Sequence, residues 1–316
     1  MTYYDIFNGD ADGLCALHQL RLAEPREAVL VTGVKRDLRL VEKVDAQSGD
    51  ELVVLDLSMQ HNAEALTRLL ARGARCLYFD HHFPGDIPVH ENLRALIDTS
   101  PAVCTSLLVD RYLGARMRPW ALVGAFGDNL DESAHAVAAP LRLPPADIER
   151  LAELGRCLNY NGYGERVEDL HYPPADLYRT MSRYRDPFAF IEHEPVLGVL
   201  RQGRADDMAQ ASNLSPIAAS AGWAVFVLPD AAWSRRVSGT LANDLAQSNR
   251  QRAHALLVAR PGGYAVSVRA PRVRPTGADA LCRQFASGGG RAAAAGINLL
   301  HEADVDVFIA AFQRAF

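Results

Sequence analysis

The first 130 residues alternate short apolar runs with amphipathic stretches. Tyr3–Phe7, Ala28–Gly33, Glu51–Leu57 and Ala74–Asp80 are brief and mostly apolar, the pattern of strands. Between them Leu14–Ala23, Leu38–Val44 and Asn62–Arg72 carry helical spacing, the last closed by Gly73. Such alternation predicts a parallel sheet covered by helices. Longer helical patterns follow at Ala102–Leu113 and Pro119–Phe126. Pro145 opens another, Ala146–Leu158, at a position where its missing N–H costs nothing.

The pattern then weakens. NYNGYGE is followed by LHYPPADL, in which Pro173 and Pro174 interrupt regular structure, so residues 161–200 read as a linker with helical pieces. Past Gly198 the apolar runs resume. Trp223–Leu228 predicts a strand, and His254–Arg260 with Tyr264–Ala270 flank Pro261-Gly262-Gly263 as a hairpin. A helix at Ala278–Ala286 leads into Ser287-Gly288-Gly289-Gly290, and a final amphipathic helix runs from about Ala303 to the end. The expected division is a domain at 1–160, the linker at 161–200 and a second domain at 201–316. A length of 316 residues fits two domains at roughly 150 residues each.

Composition narrows the function classes. Hydrophobic residues make up 49% and charged residues 22%, as in a soluble globular protein. A net charge of −5 argues against wrapping a long duplex through phosphate contacts and favours a short anionic substrate in a local basic groove. Cys15, Cys76, Cys104, Cys157 and Cys282 show no C-x-x-C spacing, which argues against a zinc site or a disulfide frame. No basic leader opens the chain and no apolar run approaches the ~20 residues that span a bilayer, so a cytoplasmic protein without a membrane partner is expected. A homodimer is compatible with the sequence.

The candidate chemistry sits at a repeated address. Asp10 and Asp12 follow the first strand, Asp56 ends the third, and Asp80-His81-His82 ends the fourth; Asp128 follows a helix in GAFGDN. In an open parallel sheet the carboxyl ends of the strands share one edge, where ligands bind. So many like charges require cations to hold them together, or protonation. Oxygen ligands with one or two imidazoles and no thiolate suit Mn²⁺, with Mg²⁺ as the alternative. A D-x-D step in extended chain points both carboxylates to one side. Taken singly, each of these residues is a common turn former, strand cap or helix terminator; their shared address joins them.

Gly288-Gly289-Gly290-Arg291 is a second concentration. A glycine run lets backbone amides approach an anion, and the guanidinium of Arg291 matches phosphate oxygens. No Gly-Lys-Ser/Thr follows, so this is not a P-loop. By itself such a run is a connector. Arg269, near a strand end, points either to the same cleft or to solvent.

These residues resemble the DHH phosphoesterase superfamily. Its N-terminal motifs appear in order as Asn8-Gly9-Asp10-Ala11-Asp12-Gly13, Leu55-Asp56, Asp80-His81-His82 and Gly127-Asp128, and residues 288–296 resemble the GGGH-x-x-AAG signature of the DHH-associated domain. The resemblance implies an α/β fold: a five-stranded parallel N-terminal domain, a linker, and a smaller substrate domain, with an active-site cleft between the domains. It implies a dinuclear Mn²⁺ centre bridged by Asp56. Asp10 would bind the first ion, and Asp12, His81 and Asp128 the second. Asp80 would support the cluster and His82 would face the phosphate, with Gly288, Gly289, Gly290, Arg291 and Arg269 on the substrate.

Two positions depart from the family pattern. Asn8 stands where many members have a histidine ligand, leaving its carbonyl oxygen as a weak candidate donor, and Arg291 replaces the histidine of the glycine motif. The implied activity is hydrolysis of phosphoester bonds in short oligonucleotides or small nucleotides, in the range that includes RecJ-type exonucleases and nanoRNases. A phosphoanhydride hydrolase of polyphosphate or pyrophosphate, and a catalytically weak nucleotide- or nucleic-acid-binding regulator, are the rival readings.

Overall fold

The computed structural model describes residues 1–316 and divides into two compact units, Met1–Arg204 and Ala205–Phe316. In the first unit five strands, β1 (Tyr3–Phe7), β2 (Val29–Val31), β3 (Glu51–Leu55), β4 (Arg75–Asp80) and β5 (Leu93–Ile97), pair in parallel in the order β2-β1-β3-β4-β5. Alternate residues face opposite sides of a strand. Thus Val53 and Leu55 join one buried cluster with Phe7 and Phe79, whereas Leu52 and Val54 join another with Ile6 and Tyr78. Both faces are covered, the arrangement expected of an all-parallel sheet.

Helices α1 (Ala11–Ala23), α3 (Thr105–Tyr112), α4 (Arg118–Gly127) and α6 (Pro145–Asn161) supply the first cluster, and α2 (Met59–Ala71) the second; α5 spans Asp131–Ala138. The stretch 161–200 contains α7 (Pro174–Met181) and α8 (Pro187–His193), whose Leu177, Met181 and Phe190 are fully buried in the first cluster. The next helix, α9 (Val196–Ser212), carries the chain from one unit into the other.

Two elements depart from the apolar pattern. The helix expected at Leu38–Val44 is a short 3-10 turn, Leu40–Lys43. The Asn62 side chain on α2 explains this: its Nδ2 donates to the Leu38 carbonyl (2.7 Å) and its Oδ1 accepts from the Val41 amide (3.2 Å), engaging groups that a longer helix would pair. Strand β5, Leu-Arg-Ala-Leu-Ile, was not apparent from the residue pattern, because its burial is only partial and it closes one edge of the sheet.

The second unit is a six-stranded mixed sheet in the order β10-β11-β9-β8-β7-β6. Its strands are β6 (Ala218–Ala219), β7 (Trp223–Leu228), β8 (Ala253–Arg260), β9 (Gly263–Arg269), β10 (Gly288–Arg291) and β11 (Ala294–Leu300). Only β7 and β8 pair in parallel, joined by α10 (Ala232–Ser248), a helix that the apolar pattern does not signal. Helices α11 (Ala278–Cys282) and α12 (Val305–Ala315) complete the unit, with Leu281, Phe308 and Phe312 in its core. All five cysteines are buried and free. No helix is long and apolar enough to cross a membrane.

Candidate active site

The strand register brings the acidic residues level. Phe7 pairs with Leu55 and Leu55 with Phe79, so β1, β3 and β4 end in one row. The chain leaves that row in step: the Asn8 amide donates to Leu55 O (3.2 Å) and the Asp56 amide to Phe79 O (3.1 Å). The order β2-β1-β3 also places the reversal of strand order beside β1, where a crevice opens in such sheets.

Asp10 is the N-cap of α1. Its Oδ1 accepts from the amides of Asp12 (3.1 Å) and Gly13 (3.2 Å). Asp12 already lies in the first helical turn, so the pair is not presented by an extended D-x-D step as expected; Asp10 caps the helix and Asp12 belongs to it. Asp12 instead meets the N-terminus of α3. Its Oδ2 accepts from the Thr105 amide and its Oδ1 from the Ser106 amide, both at 2.7 Å. Two bonds from helix-start amides fix the orientation of this carboxylate.

Asp56 follows β3 with φ +58°, a left-handed conformation that only Gly, Asn and Asp adopt readily. Its Oδ1 lies 3.4 Å from both Thr105 Oγ1 and His81 Nε2. Burial, followed by the charges of Asp10, Asp12 and Asp128, pushes its carboxyl well above the ordinary range. Asp128, at the end of α4, is likewise raised to about 6 by burial and by Asp12, against the opposing pull of Lys35. His81 Nε2 stands 3.7 Å from Asp128 Oδ2 and 4.0 Å from Asp12 Oδ2.

The two histidines sit differently. His82 Nδ1 bonds Asp80 Oδ1 at 2.8 Å, and the Asp80 carboxylate, overcoming the opposing effect of burial, raises the imidazole pKa. Asp80 is fully buried, and its Oδ2 has no hydrogen-bond partner.

Two overlapping groups bring donor atoms within 4.8 Å of one another: Asp56, His81 and His82; and Asp12, His81 and Asp128. Carboxylate oxygens with imidazole nitrogen fit a divalent cation of the Mn²⁺ or Mg²⁺ type. Asn8 and Asp10 belong to neither group. Asn8 Nδ2 donates to the Lys35 carbonyl (3.3 Å), and its buried Oδ1 has no partner. Lys35 itself, which no sequence motif singles out, reaches into the cluster with its Nζ 2.5 Å from Asp10 Oδ2. Asn159 at 2.9 Å shares it. A basic residue shortly after a strand is the only signal that could have flagged Lys35, and such residues are common. Thr105 and Ser106, at the start of α3, carry no signal of their own, since hydroxyl residues at helix starts are common.

In the second unit the glycine run is an edge strand and not an open loop. Gly288–Arg291 pairs antiparallel with Ala294–Ile297 across the short turn Ala292-Ala293. The glycines answer to packing: a Cβ at Gly288 would lie 1.8 Å from Cys282 O, and Gly290 has φ +138° with Ala295 Cα 2.5 Å from its would-be Cβ. Arg291, Ala294, Arg269 and His254 stand in one row across four strands, and directly paired residues share a sheet face. Arg269 Nε donates to Asn243 Oδ1 on α10 (2.9 Å), and Arg291 is exposed. Arg269 and Arg272 help line a cavity of about 420 Å³ with Asn243, Pro275, Ala293 and Ala294.

Residues 221–316 match the model of the DHHA1 domain. By sequence, no curated protein matches the chain. Among solved structures, the chain is similar to the exonuclease RecJ bound to manganese, with 18% identity, 99% of this chain and 89% of that one covered, and a TM-score of 0.62. RecJ from Thermus thermophilus in complex with Mn²⁺ gives 19% identity and a TM-score of 0.60; 99% of this chain is covered, but it spans only 51% of that protein. The pGpG-specific phosphodiesterase PggH from Vibrio cholerae gives 14% identity, 98% and 97% coverage and a TM-score of 0.58. Residues 221–316 thus form a DHHA1-type domain, and the chain as a whole shares its fold with the RecJ and PggH structures, with the Asp-His-His motifs on level strand ends.

Proposed function

We propose that the protein is a divalent-metal-dependent phosphoesterase acting on short oligonucleotides or small nucleotides. The observation that carries this reading is the meeting of Asp12, Asp56, His81 and Asp128 donor atoms at one sheet edge. The fold neighbours named as an exonuclease and as a pGpG-specific phosphodiesterase support a phosphodiester substrate.

Asp12, Asp56, His81 and Asp128 would hold the cation. When bound, it supplies positive charge that polarises a phosphoryl group and acidifies water. The chain's own residues do the rest. The α3 amides keep Asp12 aimed, and Thr105 Oγ1 restrains Asp56. His82, with Nδ1 held by Asp80, offers Nε2 to a phosphoryl or leaving-group oxygen, and the Asp80 carboxylate favours the imidazolium that donates a proton there. Arg291 and Arg269 would contact the substrate's phosphate in this reading, whereas the Gly288 amide is taken up by Phe285 O (3.0 Å).

A substrate panel in Mn²⁺ and in Mg²⁺ tests it: dinucleotides, a strand of roughly thirty nucleotides, phosphoadenosine phosphate, cyclic dinucleotides and polyphosphate. Turnover should vanish with chelator. kcat/KM should be higher on a dinucleotide than on the long strand, because a chain of net charge −5 lacks an extended phosphate track. Full activity in metal-free protein, or cleavage of polyphosphate alone, would overturn the proposal.

A further inference from the structure

Lys35 is locked into the acidic cluster from both its side chain and its backbone. The ammonium lies 2.5 Å from Asp10 Oδ2, 2.9 Å from Asn159 Oδ1 and 3.7 Å from Asp128 Oδ1. The Lys35 amide donates to Gly162 O at 2.8 Å, and its carbonyl accepts from Asn8 Nδ2 at 3.3 Å. Asn8, where the resemblance implies a metal-binding histidine, thus holds the segment that delivers the lysine.

We infer that the Lys35 ammonium replaces one of the two divalent cations the resemblance implies, so that the protein binds one divalent cation beside a permanent, chain-borne positive charge. The inference rests on the proposed phosphoesterase site and refines its charge complement.

Three observations carry it. Asp10 has both oxygens engaged, Oδ1 by the α1 amides and Oδ2 by the ammonium. The two groups whose donors converge, Asp56-His81-His82 and Asp12-His81-Asp128, both leave out Asp10 and Asn8. A divalent ion added on Asp10 would share a carboxylate with an ammonium and meet it as a like charge in a mostly buried setting, where such repulsion is weakly screened. The unpartnered Asn8 Oδ1 and the nearness of the Asp56 carboxyl to Asp10 favour a first ion. Asp56 converges with His81 and His82 and the free oxygen of Asp10 is held by Lys35, so what is left at Asn8 is a single neutral oxygen, a poor ligand set for a divalent cation. The ammonium meets the same electrostatic need, because clustered carboxylates require positive charge, and unlike a metal it cannot be removed by chelator.

The test counts metal. Apo protein is equilibrated with Mn²⁺ and bound ion is measured by equilibrium dialysis with elemental analysis, alongside the electron paramagnetic resonance of the bound ion. Wild type should hold one Mn²⁺ per chain with the signal of an isolated ion. The double variant Asn8→His with Lys35→Met, checked for folding by thermal melting, should hold two and show an exchange-coupled pair. Two ions in wild type would overturn the inference and leave the phosphoesterase reading standing, whereas no bound ion would sink that reading as well. A folded double variant that still holds one would also overturn it. Should the variant not fold, the wild-type count and signal decide alone.

Discussion

Replacing Asp56 by Asn separates chemistry from stability. Burial and the charges of Asp10, Asp12 and Asp128 raise the Asp56 pKa far above its ordinary 3.8 in the absence of a cation. A group whose folded-state pKa is raised contributes stability that is complete below its unfolded pKa and lost as pH rises through the folded value. Near neutral pH, keeping this carboxyl in the metal-free cluster therefore costs stability relative to the unfolded chain, and the neutral amide of Asn removes that cost. Asn also tolerates the φ of +58° at this position, whereas Ala should lose roughly 1 kcal/mol to that backbone.

With Mn²⁺ present the order should reverse. A ligand at 100 times its Kd stabilises the fold by about 2.7 kcal/mol. For a unit the size of Met1–Arg204, at roughly 2–4 °C per kcal/mol, wild type should gain about 5–11 °C in Tm. The variant should lose most of that gain along with turnover, which should fall by orders of magnitude. Differential scanning calorimetry of both proteins, with chelator and with Mn²⁺ across pH 4 to 8, reads the crossing, and the chelator-side gap should close towards acid. A variant that melts below wild type in chelator at neutral pH, or that keeps the full Mn²⁺ shift, would refute the reasoning.

Arg291→Ala should raise KM on active substrates by about 10- to 100-fold, the scale of one lost charge-assisted hydrogen bond to phosphate, with Mn²⁺ affinity unchanged by calorimetry. Unchanged kinetics would make the exposed β10 edge a purely structural strand. His18, buried with its Nε2 on Tyr184 O, has its pKa lowered to about 4. Its neutral form is thus built into the fold, and the contribution present above the ordinary 6.5 is lost as pH falls towards 4. Between pH 7.5 and 5 this should cost about 2 kcal/mol, and His18→Gln should flatten that part of the pH–stability curve in urea titrations. An identical slope in the variant would remove His18 as its source.

What was legible along the chain was local. Strands β1, β4 and β7 fall within a residue of the apolar runs because a short buried run can be satisfied only by sheet or by a longer helix. Asp56, Asp80, His81 and His82 could be assigned to one edge because parallel strands end on one side wherever they stand in the sheet. The tertiary structure decided which polar groups answer those carboxylates. Asp12 finds the α3 amides 93 and 94 residues away, and Asp10 finds Lys35 25 residues away, because β2 lies against β1 and α3 runs past the start of α1. Neither pairing leaves a periodic trace, since a lysine in a loop and a helix start read the same whether they face solvent or a buried acid. The glycine run was equally ambiguous: Gly-Gly-Gly is as compatible with a flexible loop as with an edge strand, and only the nearness of Cys282 O and Ala295 to their backbones selects the strand. Periodicity reports which side of an element is buried, whereas the counter-charge of a buried carboxylate depends on contacts that only the folded chain can form.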